Sequence, residues 1–168
     1  MAFAEFERET IVERTREKLY SQAQKGYWGG GHAPLGYDVK EKKLVVSKAE
    51  ADLVQRIFHM YLKDPSTNRI AAELNKEGYR TKSRVTKKGA SKGGGDFNKQ
   101  VVRDILRNKI YLGLISYKKE DFKGLHEPMV DQQLFDDVQE RLDESAVNKM
   151  ITHQDSELPL TGITKCGL

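Results

Sequence analysis

Apolar and polar residues recur in patterns that divide the chain into short elements. Between residues 53 and 62 the apolar positions fall at i, i+1, i+4, i+5, i+8 and i+9, which predicts a helix with one buried face that ends near Lys63. Ser47 and Glu50 have the spacing of a capping box and predict where this helix begins. The short apolar runs within residues 37–46 predict a β-hairpin immediately before it.

Two more helices are expected in the middle of the chain. Ser66 or Thr67 can cap a helix that continues through Leu74 and ends at Gly78. The turn between this helix and the preceding one is short, so the pair is a helix-turn-helix candidate. Asn98 is the expected N-cap of a third helix, which has apolar residues along one side.

The remaining elements are a small hairpin and a helix at each end. A strand over residues 111–117 is expected to pair with residues 125–130 in a wing-like hairpin, and Asp131 is expected to cap a fourth helix through Leu142. Residues 3–25 lack Pro and Gly and predict one long, largely polar helix. We therefore predict an α+β, mostly helical fold. In it, a long N-terminal helix precedes a winged helix-turn-helix-like domain with small β-hairpins.

Charge is distributed unevenly along the chain and changes this picture. The net charge is +4, yet residues 80–109 carry ten Lys and Arg against two acids, whereas residues 127–157 carry nine acids against two bases. The basic block begins with a glycine-containing stretch, residues 80–96, that predicts a loop. Clustered cations gain affinity for polyanions by releasing counterions, so the block favours nucleic acid as a partner. The alternative is a solvated basic loop without a partner.

The third helix carries polar side chains on the face opposite its apolar residues, where an α-helix in a major groove meets base edges. The candidates for base contacts are Lys99, Gln100, Arg103 and Arg107. The other cations of the block are candidates for phosphate contacts, which position a protein on DNA: Arg80, Lys82, Arg84, Lys87, Lys88, Lys92 and Lys109. The alternative is that this outer face is only solvated.

Composition and motifs argue against other classes of protein. No apolar run approaches the roughly 20 residues of a membrane helix, and the charged first ten residues are unlike a secretory signal, so no membrane partner is expected. The single Cys166 excludes an internal disulfide and a cysteine-rich zinc site complete within the chain, so no metal or cofactor is expected here. Residues 89–95 lack the Lys-Ser/Thr step of a phosphate-binding loop. No nucleophile lies in a recognisable catalytic arrangement, so we predict no catalytic residue and no small-molecule substrate.

Several segments, in the same order, resemble the large serine recombinases, a family of integrases and transposases that cut and rejoin DNA. The most specific is Val101-x-x-x-Ile105-Leu106-x-Asn108-x-x-Tyr111-x-Gly113. The others are Phe3-Ala4-Glu5-Phe6-Glu7-Arg8-Glu9, Pro34-Leu35-Gly36-Tyr37, Ile70-Ala71-x-x-Leu74-Asn75-x-x-Gly78, His126-Glu127-Pro128-Met129-Val130 and Leu160-x-Gly162-x-x-x-Cys166-Gly167.

The resemblance implies a domain organisation. It makes residues 1–26 the end of the long helix of a catalytic domain, 27–36 a Gly-rich linker, 37–143 the DNA-binding recombinase domain, 144–159 a second linker and 160–168 the start of a zinc ribbon, with Cys166 as a lone zinc ligand. The catalytic serine would lie upstream, so this part is expected to bind DNA without cutting it. The long helix would cross a minor groove, and residues 26–36 would follow the groove onward. Backbone or minor-groove contacts would come from Arg14, Arg16, Lys18, Lys25 and His32.

The resemblance also implies properties of a full-length protein. We expect a serine recombinase that binds a recombination site in double-stranded DNA, holds zinc, forms a dimer or tetramer, and acts in a bacterial cytoplasm on the nucleoid. Two alternatives stay open on the residues alone. One is a free-standing winged-helix transcriptional regulator that dimerises through the long first helix, and the other is a protein–protein adaptor that uses the acidic residues 127–157.

Overall fold

The computed structural model describes residues 2–85, 89, 91–118 and 120–154. Within these residues it contains five α-helices, three two-stranded antiparallel sheets and one short 3₁₀ turn. The elements are α1 Ala2–Gln24, β1 Tyr37–Lys40, β2 Lys43–Val46, α2 Lys48–Lys63, α3 Thr67–Lys76, β3 Arg84–Val85, β4 Ser91–Lys92, α4 Lys99–Arg107, the 3₁₀ turn Lys109–Leu112, β5 Leu114–Tyr117, β6 Glu120–Lys123 and α5 Gln132–Gln154. The predicted α+β, mostly helical fold is confirmed. No helix in these residues is apolar over a length that would cross a bilayer.

Helices α2 to α5 enclose one apolar core. The stripe predicted for α2 is buried, and the ring of Phe58 lies between those of Tyr111 and Phe135, with centroid distances of 6.0 and 6.1 Å. The other helices contribute fully buried side chains to the same core, including Leu74, Leu106 and Val138. The helical periodicity of the sequence therefore identifies the buried faces correctly.

Two of the four predicted helix caps form side-chain bonds, and α5 begins directly after a third, Asp131. The Oγ of Ser66 accepts a hydrogen bond from the Arg69 amide, and the Oδ1 of Asn98 accepts bonds from the first turn of α4. The predicted capping box at α2 is wrong. Ser47 is the N-cap residue but makes no side-chain cap bond, and the Glu50 carboxylate binds Gly36 and Lys82 instead of completing the box.

The wing, which is formed by β5 and β6, differs from its prediction. β5 pairs with residues 120–123, so that Tyr117 lies opposite Glu120, and the chain turns back at once through Lys118, whose φ is +58°. The expected return strand over residues 125–130 is therefore wrong. Strand β6 was not predicted because its residues are mostly polar, whereas strands are identified in a sequence by their apolar residues.

Residues 125–130 instead lie beside the 3₁₀ turn and cover one side of the core. The amides of Met129 and Val130 both donate to the carbonyl oxygen of Tyr111. Both side chains are buried. The apolar character of this stretch thus reflects burial in an irregular segment rather than a strand.

Two further segments depart from expectation. Residues 80–96, which we call the basic loop, contain the two-residue strands β3 and β4, with Arg84 opposite Lys92. Helix α5 continues through Gln154, so the first part of the predicted second linker is helical. The proposed zinc-ribbon residues 160–168, with Cys166, lie outside the described residues. The domain boundaries themselves stay a prediction.

Helix α1 is attached to the wing by its second half only. The ring of Tyr20 lies 6.1 Å from that of Tyr117 and 5.6 Å from that of Phe122. The Tyr117 hydroxyl donates to the Arg16 carbonyl oxygen, and the chain leaves the helix at Gly26, where a Cβ would lie 2.7 Å from a backbone oxygen of β6. The orientation of α1 is therefore fixed relative to the rest of the domain.

Candidate nucleic-acid interface

Helix α4 is strongly amphipathic, as its sequence predicts. Val102, Ile105 and Leu106 are buried against the core, where α3 is the main neighbour of α4. Gln100 and Arg107 lie opposite these buried side chains. All of the candidate base-contacting residues are exposed: Lys99, Gln100, Arg103 and Arg107. The helix therefore has one face for packing and one that is accessible to a ligand.

The exposed side chains of α4 differ in their partners. Arg107 Nη2 lies 2.6 Å from Asp143 Oδ1 of α5, and Gln100 Nε2 donates to Asp104 Oδ1 at 2.8 Å. Within the described side chains, Lys99 and Arg103 have no hydrogen bond or ion pair. Arg103 is thus the residue best placed to bind a ligand directly, whereas Arg107 would first have to break its ion pair with Asp143.

The structure places Lys82, a predicted phosphate contact, among protein acceptors rather than at the surface. Its side chain is only 13% exposed, and Nζ donates to Tyr37 O at 2.8 Å, Asp38 Oδ1 at 2.9 Å and Glu50 Oε2 at 2.7 Å. Burial lowers the pKa of Lys82, but the hydrogen bonds to Glu50 and Asp38 outweigh burial and raise that pKa above its ordinary value. An ammonium has three donors, and all three are occupied inside the protein.

Arg80 and Lys109, two of the phosphate candidates whose side chains are described, are at the surface but paired. Arg80 lies 3.3 Å from Asp96, and Lys109 lies 2.6 Å from Asp121 of the wing. The hydrogen bond from Lys109 holds the pKa of the Asp121 carboxyl below its usual value. Exposed pairs of this kind contribute at most about 1 kcal/mol, so a phosphate can replace the carboxylate at little cost.

The rest of the block is only partly described. Arg84 is exposed at the start of the small hairpin in the basic loop. Lys92 is described by its backbone alone, and Lys87 and Lys88 lie outside the described residues. Their contacts to phosphate stay predictions.

The structure brings the basic loop, α4 and the Gly-rich segment, residues 27–36, to one side of the domain. A groove of about 370 Å³ separates them, and its walls come from residues 32–35, from both ends of the loop and from α4. His32 and Asp104 of α4 both line this groove. The segment that follows α1 therefore adjoins α4, but none of the four base-contact candidates lines the groove between them.

The candidate contacts of α1 lie on two faces of that helix. Arg14 and Lys18 are four residues apart and share one face. Arg16 lies four residues before Tyr20, on the face toward the wing, and lines a cleft there with Lys118. Lys25 follows the last turn and is exposed. A single groove of DNA along α1 would therefore meet Arg14 and Lys18 but not Arg16.

The wing adds a cation that sequence reasoning missed. Lys118 occupies the turn between β5 and β6, is exposed, and holds its Nζ 5.9 Å from the centre of the Tyr117 ring. The sequence carries little signal for this turn, because a pair of lysines is not one of the Asn-Gly or Asp-Gly pairs typical of a two-residue hairpin turn. The incorrect return strand placed this residue within a long loop.

The buried histidine of the domain is not part of this surface. His126 is buried, and its Nε2 donates to the Ile110 carbonyl oxygen at 2.8 Å. Burial lowers the pKa of His126 below its ordinary value, which favours the neutral ring. Among the described residues, no three His, Cys, Asp or Glu side chains are placed to hold a metal ion.

Known proteins place this arrangement in a family. The family model described as Recombinase matches residues 48–145, which run from the start of α2 into α5 and include α4 and the wing.

The chain belongs to the Recombinase family. The resemblance to the large serine recombinases is confirmed. A curated protein of Bacillus subtilis (strain 168), named "Putative DNA recombinase", is 33% identical over 130 residues, which are 73% of this chain and 24% of that protein. This recombinase chain therefore spans about a quarter of the relative's length.

Two solved structures have the same fold. One, reported as the crystal structure of an LSR–DNA complex, has a TM-score of 0.65 and 24% sequence identity, and the match covers 79% of this chain and 38% of that one. The other was reported for the sequence requirements of the Listeria innocua prophage attP site. It has a TM-score of 0.63 and 25% identity, and the match covers 77% of this chain and 51% of that one.

Proposed function

We propose that this chain is the duplex-binding portion of a site-specific serine recombinase, in which α4 reads base edges in a major groove. The observation that carries the proposal is the exposed face of α4, where Arg103 lies between Lys99 and Arg107 without a carboxylate partner among the described side chains. An α-helix fits the major groove of B-DNA, and Arg binds the O6 and N7 atoms of guanine with two hydrogen bonds. Gln100 and Asp104, which bond each other, would serve as an adenine reader and a cytosine acceptor once separated.

The surroundings of α4 supply the positions for backbone contacts. The basic loop lies on the far side of the groove that borders α4 and carries Arg84 at its surface. The wing presents Lys118 on the side where α1 is attached. With Arg14 and Lys18 on the outer face of α1, these cations would bind phosphates on both sides of the helix that reads the bases.

The role of the full-length protein is a proposal that rests on the family. A catalytic serine domain before α1 would cut and rejoin the bound DNA, and a completed zinc ribbon would add a second DNA-binding unit. Dimers and tetramers would bring two sites together in a bacterial cytoplasm. The chain described here would then select the site and leave the chemistry to the domain that precedes it.

The salt dependence of duplex binding tests the proposal. A preferred duplex is first selected from a random pool with the 168-residue chain, and its affinity is then measured across a series of salt concentrations. Roughly six phosphate contacts predict a slope near −5 in a plot of log K against log salt, since each contact contributes about −0.9. The single strands of the selected duplex are the control. A flat response, or equal affinity for single strands, would contradict the proposal.

A further inference from the structure

Lys82, the buried cation of the basic loop, connects three other parts of the domain. Its Nζ binds the first strand of the β1–β2 hairpin at Tyr37 O and Asp38 Oδ1, and the first turn of α2 at Glu50 Oε2. The same Glu50 oxygen accepts the amide of Gly36, the last residue of the Gly-rich segment, at 2.9 Å. We call Lys82, Asp38, Glu50 and the Gly36 amide the Lys82 cluster.

The backbone around Lys82 is also packed against the opposite end of the basic loop. Both the amide and the hydroxyl of Thr81 donate to the Gly95 carbonyl oxygen, at 2.9 and 3.1 Å. A Cβ at Gly93 would lie 2.2 Å from the Lys82 carbonyl oxygen, and the φ of Gly93 is +85°, so the two ends approach as closely as glycine permits. The bonds of the Lys82 ammonium therefore help to position both ends of the loop.

The point where the loop enters α4 is held separately. The side chain of Asn75 in α3 donates to the Phe97 carbonyl oxygen and accepts the Phe97 amide, both at 2.8 Å. Asn98 then caps α4. Loss of the Lys82 cluster should therefore release residues 81–95 while α4 keeps its place in the domain.

We infer that Lys82 is a positioning residue for DNA binding. Through Glu50 and Asp38 it holds the basic loop in the orientation in which its described exposed cations, Arg80 and Arg84, meet the DNA backbone. The inference rests on the proposed function and deepens it. On this inference the carboxylates of Asp38 and Glu50 favour DNA binding by holding Lys82, although each alone would repel a phosphate. Through the Gly36 amide, it also ties the position of the loop to the path of the Gly-rich segment.

The variant Glu50→Gln separates this role from a direct phosphate contact by the sign of its effect. If Lys82 positions the loop, Glu50→Gln and Lys82→Met each weaken duplex binding about fivefold, and the double variant is no weaker than Lys82→Met alone. If Lys82 binds phosphate, Glu50→Gln releases the ammonium and removes a repelling charge, so binding stays the same or tightens. That result would overturn the inference. The control is Asp52→Asn, which removes the same charge from an exposed site in α2 and is expected to leave binding unchanged or slightly tighter.

Two further measurements exclude a general loss of folding. Hydrogen exchange of the amides in residues 81–84 should accelerate in Lys82→Met, whereas that of α4 should not, and the base preference of the selected duplex should be kept. Equal acceleration in α4 and in the loop, or no acceleration in the loop, would overturn the inference. If Glu50→Gln unfolds the domain, Asp38→Asn takes its place, because Asp38 is 56% exposed and its loss should leave the core intact. Weaker binding by Asp38→Asn supports the positioning role, and unchanged or tighter binding opposes it.

The same experiments distinguish failure of this inference from failure of the proposed function. If the unaltered chain shows no salt-dependent duplex binding, the proposed function is wrong, while the exchange of residues 81–84 still reports whether Lys82 holds the loop. If the unaltered chain binds duplex DNA and Glu50→Gln binds as tightly, the function stands and the positioning role does not.

Discussion

Replacing Arg103 with alanine is expected to weaken binding to the selected duplex by about 1–3 kcal/mol, or roughly fivefold to 150-fold, and to relax the base preference at one position. The reason is that Arg103 lies within the exposed face of α4 and has no competing carboxylate among the described side chains. Binding isotherms on the selected duplex and on duplexes with single base changes measure both effects. Binding to unrelated duplexes should change much less.

The variant Arg103→Lys is the matched control for charge. Lysine keeps the positive charge but lacks the planar fork that binds guanine with two hydrogen bonds, so a base-reading role predicts that Arg103→Lys loses most of the base preference. Arg107→Ala should lose less than Arg103→Ala, because Arg107 is already paired with Asp143. If Arg103→Lys bound with the affinity and base preference of the unaltered chain, Arg103 would be a phosphate contact instead.

Replacing Leu106 with alanine is expected to lower the free energy of unfolding by about 2–5 kcal/mol, since truncation of a fully buried leucine removes its packing and leaves a cavity. Leu106 is 0% exposed on the inner face of α4, and its carbonyl oxygen accepts a bond from Gln139 of α5. Denaturant unfolding followed by circular dichroism gives the value. Marginal domain stability makes a loss of this size a large fraction of the total, so duplex binding should fail at temperatures where the unaltered chain still binds.

Val101→Ala is the control for the Leu106 prediction. Val101 lies in the same helix, at the edge of the groove beside the basic loop, and is only partly buried. Its truncation should cost clearly less than that of Leu106, and a valine-to-alanine change shortens the side chain without adding a polar group. Equal losses at the two positions would contradict the burial of the inner face of α4.

Carboxylates restrain the cations of the candidate interface more than the charge count suggests. Within the described residues, three cations of the basic block are paired with a carboxylate, from Asp96, Asp121 or Asp143. Asp143 belongs to the acidic segment, residues 127–157. Each pair is exposed and therefore weak, so a phosphate or a base can displace the carboxylate. In the proposed mode of binding, these pairs would lower non-specific affinity and leave Arg103 available to bind a base.

The sequence predicts elements whose signal is local. The apolar periodicity of residues 53–62 gave a correct helix, and Asn98 was identified as a cap because capping depends on neighbours two or three residues away. Strand β6 was missed because its four residues carry little apolar character, and only its pairing with β5 makes it a strand.

The environment of Lys82 could not be predicted for a related reason. In the sequence it is one of ten cations in a basic block, and nothing nearby distinguishes it from Arg84. Its partners Asp38 and Glu50 lie 44 and 32 residues away, and only the packing of the loop against the β1–β2 hairpin brings them together. Charge patterns therefore predict an interface but not which cations serve it.

Methylation interference on the selected duplex tests most directly whether α4 lies in a major groove. Methylation of guanine at N7 alters the major groove, whereas methylation of adenine at N3 alters the minor groove. The account predicts at least one guanine whose N7 methylation blocks binding by the unaltered chain but has no further effect on Arg103→Ala. Binding that is insensitive to every guanine N7, or a pattern of interference unchanged in Arg103→Ala, would contradict it.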